Sequence, residues 1–196
     1  MGNKTNAAEP LFEIDGKARK LFKPYRKSLP IKAIGQIGDV GDQMPLRVIC
    51  VGVFGLGLLR SDARMMRAGV RMLLSHELAT LAKNTVKRRM DRTRPRRAKK
   101  AARPQKGKDT GKEVTSFPSG HSAGSMAVAC AFAAEYPEHR GAALGTAGAV
   151  GLAQIPTCAH YPSDVAAGMA VGAMANGVIG IALRWLDALA GRHFRQ

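Results

Sequence analysis

The chain has 196 residues, a length suited to one domain, and 45% of them are hydrophobic and concentrated in blocks, which excludes a disordered polyelectrolyte. Its 31 Lys and Arg against 14 Asp and Glu leave a formal charge of +17, so the partner is nucleic acid, an anionic membrane surface or a phosphorylated substrate. Cys50, Cys130 and Cys158 are odd in number, widely spaced and set among apolar neighbours, which excludes a disulfide scaffold and reads as small buried hydrophobes.

Residues 1–44 form a basic amphipathic segment, expected as a separate unit. Leu11, Ile14, Ala18, Leu21, Phe22 and Tyr25 recur at helical spacing among Lys17, Arg19, Lys20, Lys23, Arg26 and Lys27, and Pro24 and Pro30 break the run. Such a stretch either lies on an anionic membrane surface or is a solvated, partly ordered arm. It lacks the apolar core and cleavage site of a secretory signal peptide and is expected to remain in the mature protein.

Five stretches then read as membrane spans: Val48–Leu59, Met65–Ala82, Ser116–Ala134, Gly141–Ser163 and Val165–Leu183. The last three carry almost no charge and approach the roughly 20 residues that cross a hydrocarbon core as a helix. The first needs Arg47 and Arg60 to snorkel. The second is counted because Arg67 and Arg71 lie near one end and His76 and Glu77 can make structural polar contacts inside a bundle. Gly168 and Gly172 stand at GxxxG spacing, which lets helix backbones approach closely in lipid. The expected fold is all-α: an integral membrane bundle of about five transmembrane helices over 45–190, followed by a tail at 191–196. A soluble Ala/Gly-rich helical bundle is the competing architecture.

Between the second and third spans, residues 83–115 hold 14 Lys or Arg. Alone, this loop looks like a nucleic-acid-binding tail, but it has no aromatic residue for base stacking. It is flanked instead by more specific patterns. Lys87 is followed after six residues by Arg94 and Pro95; Pro118, Ser119, Gly120 and His121 follow; and His160 precedes Asp164 by four.

At these residues the chain resembles the type 2 phosphatidic acid phosphatase (PAP2) superfamily, with its pattern KxxxxxxRP, PSGH and SRxxxxxHxxxD, over about residues 38–190. Ala153 and Gln154 depart from the pattern, standing where it has Ser and Arg. The resemblance implies a PAP2/haloperoxidase-like core and metal-independent removal of phosphate from a lipid or polyprenyl phosphate. It also implies that His160 forms a phosphohistidine and His121 protonates the leaving alcohol.

The residues support that chemistry independently. Phosphate monoester hydrolysis is extremely slow unaided and needs a nucleophile, a proton donor and charge stabilisation. Pro162 marks a helix start, placing Asp164 in the first turn, where it can orient one ring nitrogen of His160. Ser119 and Gly120 open the next helix and offer a hydroxyl and backbone amides to an anion. Lys87 and Arg94 neutralise phosphate oxygens, provided the helix ends between them. A metal pair at His160 and Asp164 is disfavoured by these cations and by the lack of a carboxylate cluster in the sequence pattern, so no metal and no cofactor are expected.

Gln154 lacks the charge and planar fork of the arginine it replaces. Arg88, Arg92 or Arg96 can compensate, the substrate can differ, or the chain is a pseudoenzyme or basic protein that binds anionic lipid. The expected partners are a lipid phosphate and the bilayer, with no nucleic acid. The expected location is the cell membrane, multi-pass. The motif-bearing face holds 23 Lys or Arg against 8 on the other, so the active site is expected to face the cytoplasm, against the habit of family members that recycle lipid carriers.

Overall fold

The structure, a computed structural model, describes residues 9–109 and 111–193, with side chains to 189. The expected tail at 191–196, and Lys4, Arg192 and Arg195 of the charge count, lie outside the described side chains. Seven helices follow in order: α1 Glu9–Phe22, α2 Leu29–Asp39, α3 Gln43–Leu59, α4 Ala63–Lys87, α5 Gly120–Glu135, α6 Arg140–Ala153 and α7 Pro162–His193. The basic loop folds back on itself through a two-residue antiparallel pair, Met90–Asp91 with Gln105–Lys106. Helix starts follow local chemistry. Asp62 accepts a hydrogen bond from the Met65 amide at α4, and Ser119 accepts one from the Ser122 amide at α5.

Helix α5 is the axis of the bundle, packed against α4, α6 and α7, with α3 outside α4. Small residues permit this. A β-carbon on Gly172 would overlap the Ala123 carbonyl, one on Gly168 the Ser119 carbonyl, and one on Gly69 the backbone of Phe54. The buried positions hold Ala79, Ala127, Ala131 and Ala175, with Leu46, Cys50, Met72 and Val128 as the larger apolar cluster. Large apolar side chains point outward instead: Val48, Val51, Leu58, Leu59, Leu81, Met174, Val178, Ile181, Trp185 and Leu186 are exposed. A water-soluble domain would bury these residues.

The five proposed spans correspond to α3–α7, with two changes. The uncharged run Gly141–Ser163 is not one helix: α6 stops at Ala153, and 154–161 turn back to present His160. Helices α5 and α6 have only 16 and 14 residues, about 24 and 21 Å long at 1.5 Å per residue. Among the described residues one helix, Pro162–Leu189, is long and apolar enough to cross a membrane, and α2 with α3 passes together as a pair bent by 47°.

The N-terminal segment, expected to be separate, is docked onto the body. Arg19 and Lys23 donate to the Ala98 carbonyl, Arg103 pairs with Glu9, and the carboxylate of Asp15 is fully buried against α7 and the basic loop. Electrostatics explain the difference: α1 carries the acid that the interior of the basic loop requires.

Candidate active site

Helix α4 ends at Lys87, which frees the next residues to turn and bring Arg94 back toward it. The Lys87 ammonium donates to the Thr115 carbonyl at 2.7 Å. Arg94 donates to the Lys112 carbonyl at 2.7 Å and the Ala159 carbonyl at 3.1 Å, and its guanidinium lies 3.4 Å from His160 Nε2. His160 is held by its own backbone, because its amide donates to the Gln154 carbonyl at 3.2 Å. That turn includes Cys158 at φ 55°, a left-handed conformation uncommon outside glycine, so the loop presenting His160 is strained.

Asp164 lies in the first turn of α7, as expected, and is fully buried. Its Oδ2 is 3.7 Å from His160 Nδ1, beyond hydrogen-bonding range, and instead accepts from the Ser116 hydroxyl at 2.6 Å and the Tyr161 amide at 2.9 Å. The Ser116 hydroxyl is itself 3.5 Å from Nδ1, so it bridges the carboxylate and the ring. Arg92 completes the support. It reaches Asp164 at 2.5 Å, Ser163 at 2.7 Å and Asp15 at 2.6 Å, while its guanidinium stacks 4.1 Å over the Tyr161 ring. A buried charge needs such saturation, because an unpaired one costs several kcal/mol.

The Pro118–His121 and His160–Asp164 motifs are joined through the backbone, the Ser119 amide donating to the Asp164 carbonyl at 3.0 Å. The His121 and His160 rings consequently face each other with centroids 6.3 Å apart. Between them opens a cavity of about 380 Å³, whose walls include Lys83, Lys87, Arg94, Arg96, Gly120, His121, Gln154 and His160. Burial pushes the His160 imidazole down to about 4; Asp164 opposes the fall and Arg94 adds to it. The ring is therefore neutral at physiological pH. Burial, with Arg94 and Lys83 nearby, pushes the Lys87 ammonium down to about 7. Arg94 is lowered by burial too, yet a guanidinium stays charged.

Several expectations change at this point. Ser119 does not offer its hydroxyl to the cavity: it is fully buried and accepts from the Ser122 hydroxyl at 2.9 Å, leaving Gly120 to line the wall. Of the three arginines expected to compensate for Gln154, Arg88 is exposed away from the cavity and Arg92 is consumed by its carboxylates. Only Arg96 reaches the cavity, and it is paired with Glu113 at 2.6 Å. Glu77 and His76 are structural as expected, with Arg47 chelating Glu77 at 2.6 and 2.8 Å.

Sequence reasoning missed Asp15, Ser116, Lys83 and Asp42. Asp42 accepts from His121 Nε2 at 2.8 Å. With Asp39 it forms a carboxylate pair around His121, ligand atoms lying within 4.8 Å of one another, where none was expected. Lys83 and Lys87 on the same cavity wall oppose a divalent cation there. Lys83 was legible as a residue one turn before Lys87, whereas the other three are brought in by long-range folding.

Two histidines meeting edge to face, a buried supporting carboxylate and a cationic wall are an arrangement chemically suited to a phosphoryl group. The chain belongs to the PAP2 superfamily, which residues 68–186 match. A 58-residue segment is 48% identical to the lipid A 1-phosphatase of Rhizobium johnstonii, and a 57-residue segment is 47% identical to that of Rhizobium etli. These segments cover 30% and 29% of this chain and 24% and 25% of those proteins, so the match spans about a quarter of the curated relatives' length. The fold is similar to Aquifex aeolicus LpxE, with a TM-score of 0.63 and 18% identity over 83% of this chain and 92% of that one. It is also similar to the transmembrane PAP2-type phosphatidylglycerolphosphate phosphatase of Bacillus subtilis, with a TM-score of 0.59 and 20% identity over 92% and 89% of the two chains. At these identities the structural likeness is one of fold.

Proposed function

We propose that the chain is a multi-pass membrane phosphatase that hydrolyses a lipid or polyprenyl phosphate through a phosphohistidine on His160. The observation that carries this reading is the pairing of a neutral, buried His160, its Nε2 open to the cavity beside Arg94, with His121 on the opposite wall. In the first step Nε2 attacks phosphorus, the bond to the lipid oxygen breaks, and His121 gives that oxygen its proton. Water then attacks the phosphohistidine, His121 takes the water's proton, and phosphate leaves as His160 is regenerated. Lys87 and Arg94 hold the non-bridging oxygens, and Ser116 with Asp164 steadies Nδ1 and the positive charge that grows on the ring.

Support for a lipid substrate comes from the outward-facing apolar side chains and from an apolar cleft of about 260 Å³ lined by α3, α5 and α6. Leu46, Val53, Val128, Phe132 and Val150 line it. Val150 also approaches Gly41 beside His121, so the cleft ends next to the site. The names of the Rhizobium relatives favour a lipid A-type phosphate among the candidates. Helices α3, α5, α6 and α7, with α4 over Met65–Ala82, form the five spans in this proposal. The segment 1–44 lies at the membrane surface, where its Lys and Arg meet anionic lipid. The cationic site end faces the cytoplasm.

Purified protein in detergent, offered a panel of lipid A-type, glycerophospholipid and polyprenyl phosphates, should release phosphate in the presence of EDTA. His160→Ala should lower turnover by about four orders of magnitude or more. Activity lost on chelation and restored by a divalent cation would overturn the metal-independent route and point to Asp39, Asp42 and His121. A second reading rests on Gln154: a protein that binds anionic lipid without turnover, which inactivity on every lipid would favour. For orientation, a cysteine at the exposed Gln105 in a cysteine-free background should resist an impermeant thiol reagent until cells are permeabilised. Labelling in intact cells would place the site on the other face.

A further inference from the structure

The side chain at 154 is packed against α2. Helix α2 lies against the turn after α6 along Gly35 and Gly38. A β-carbon on Gly38 would overlap the Gln154 amide, and one on Gly35 would press on Thr157. Gln154 lines the cavity, yet its amide lies against Gly38, so an arginine in the same rotamer would press its guanidinium on that helix. The phosphate site therefore lacks one cation, and none of the expected arginines stands free in the cavity to replace it.

Lys83 does. It sits on α4 one turn before Lys87, so both project from the same face toward the cavity. Lys83 is only 6% exposed, yet among the described residues its ammonium has neither a hydrogen-bond nor an ion-pair partner. Asp42 attracts it from a distance but makes its hydrogen bond to His121. The ammonium points at the start of α5: a β-carbon built on Gly120 would lie 3.2 Å from Nζ. The first-turn amides of a helix have no intrahelical acceptors and favour an anion. An ammonium that opens onto the cavity without a bonded partner, beside a helix N-terminus, is two donors facing one anion-sized space.

We infer that Lys83 is a substrate-binding residue, holding a non-bridging phosphate oxygen together with the start of α5 and supplying the charge that Gln154 cannot. The inference rests on the phosphatase reading and names a cation outside the motif residues. It also assigns Lys83 and Gln154 to one exchange: α2 closes over the turn, and the positive charge moves from that turn to α4.

The test uses the full chain in detergent, a lipid phosphate that it hydrolyses, and orthovanadate as a phosphate mimic. Lys83→Met, which keeps the apolar stem, should raise KM and the vanadate inhibition constant together by about 10- to 100-fold, the loss of one charge-assisted hydrogen bond. Lys83→Arg should recover most of both. In wild-type protein, vanadate should shield Lys83 from an amine-acylating reagent, read by mass spectrometry, which needs no variant to fold. A correctly melting Lys83→Met with KM and vanadate inhibition within about twofold of wild type would overturn the assignment, as would acylation of Lys83 unaffected by vanadate. A wild type that hydrolyses nothing while vanadate still shields Lys83 would overturn the phosphatase reading and leave the anion site standing.

Discussion

The two parts of this bundle solve the same packing problem with opposite materials. At the site end the largest fully buried side chains are Arg92, Tyr161, His160, Asp15 and Asp164, and all but His160 are joined by directional bonds of 2.5 to 2.9 Å. Through the middle, most buried positions are small, alanine and glycine above all, around one cluster of Leu46, Cys50, Met72 and Val128, and helices α5 and α7 meet almost backbone to backbone at Gly168 and Gly172. Position at the site end depends on charge and angle; position in the middle depends only on shape. A bundle whose exterior is apolar gains little from burying leucine, so close contact and saturated polar networks replace the usual hydrophobic core.

Breaking the charged end should cost most. Asp15→Ala leaves Arg92 buried beside one carboxylate instead of two, and should destabilise the protein by about 3–5 kcal/mol, read as a lower melting temperature in detergent. Asp15→Asn, which keeps the shape, should also lower turnover by loosening Asp164. Unchanged melting and turnover would mean that α1 is dispensable.

Breaking the shape-dependent middle should cost less. Gly172→Leu forces α7 away from the Ala123 carbonyl and should destabilise by about 1–3 kcal/mol. Val178→Ser, on the exposed side of the same helix, should stay within about 0.5 kcal/mol. Equal effects at the two positions would erase the contrast.

Gln154→Arg sharpens the comparison at the boundary between the two parts. Restoring the family residue should lower kcat/KM by about tenfold, because its charge is gained only by displacing α2, a loss of about 1.4 kcal/mol. An increase would show that α2 yields readily and that the cavity still lacks a cation.

The smallest effect is on pH dependence. In the proposed mechanism His160 attacks only when neutral, and its pKa is pushed down to about 4, so the acid limb of kcat/KM should fall as pH drops through that value, while loss of the His121 proton sets an alkaline limb. In the same proposal Lys87 holds phosphate only when charged, and its pKa is pushed down to about 7, so KM should rise as pH increases through 7. Lys87→Arg should remove the alkaline rise. An alkaline limb that persists in this variant would belong to another group.

Much of the site was legible because its motifs are local. Pro162 fixes a helix start and Asp164 follows in its first turn; the end of α4 at Lys87 lets Arg94 return. These relations span a few residues, where spacing determines geometry. The support for Asp164 was not legible, since Asp15 reaches it across nearly 150 residues and no periodicity in α1 distinguishes that acid from Glu9 or Glu13. Arg92 was misread for the same reason: without Asp15 and Asp164 around it, a buried structural arginine looks like a free one. The uncharged run through Gly141–Ser163 misled because lack of charge limits what a segment can cross, without saying that it is one helix.

The apolar cleft beside His121 has a kinetic consequence. Because α3 and α6 flank it without closing it from the side, a lipid's tail can remain among its neighbours while only the headgroup enters the cavity. With the proposed lipid phosphate as substrate, encounter is then a two-dimensional search. Diluting the lipid phosphate with inert lipid or detergent at fixed bulk concentration slows the reaction, so its saturation is measured in mole fraction of the surface, not in moles per litre.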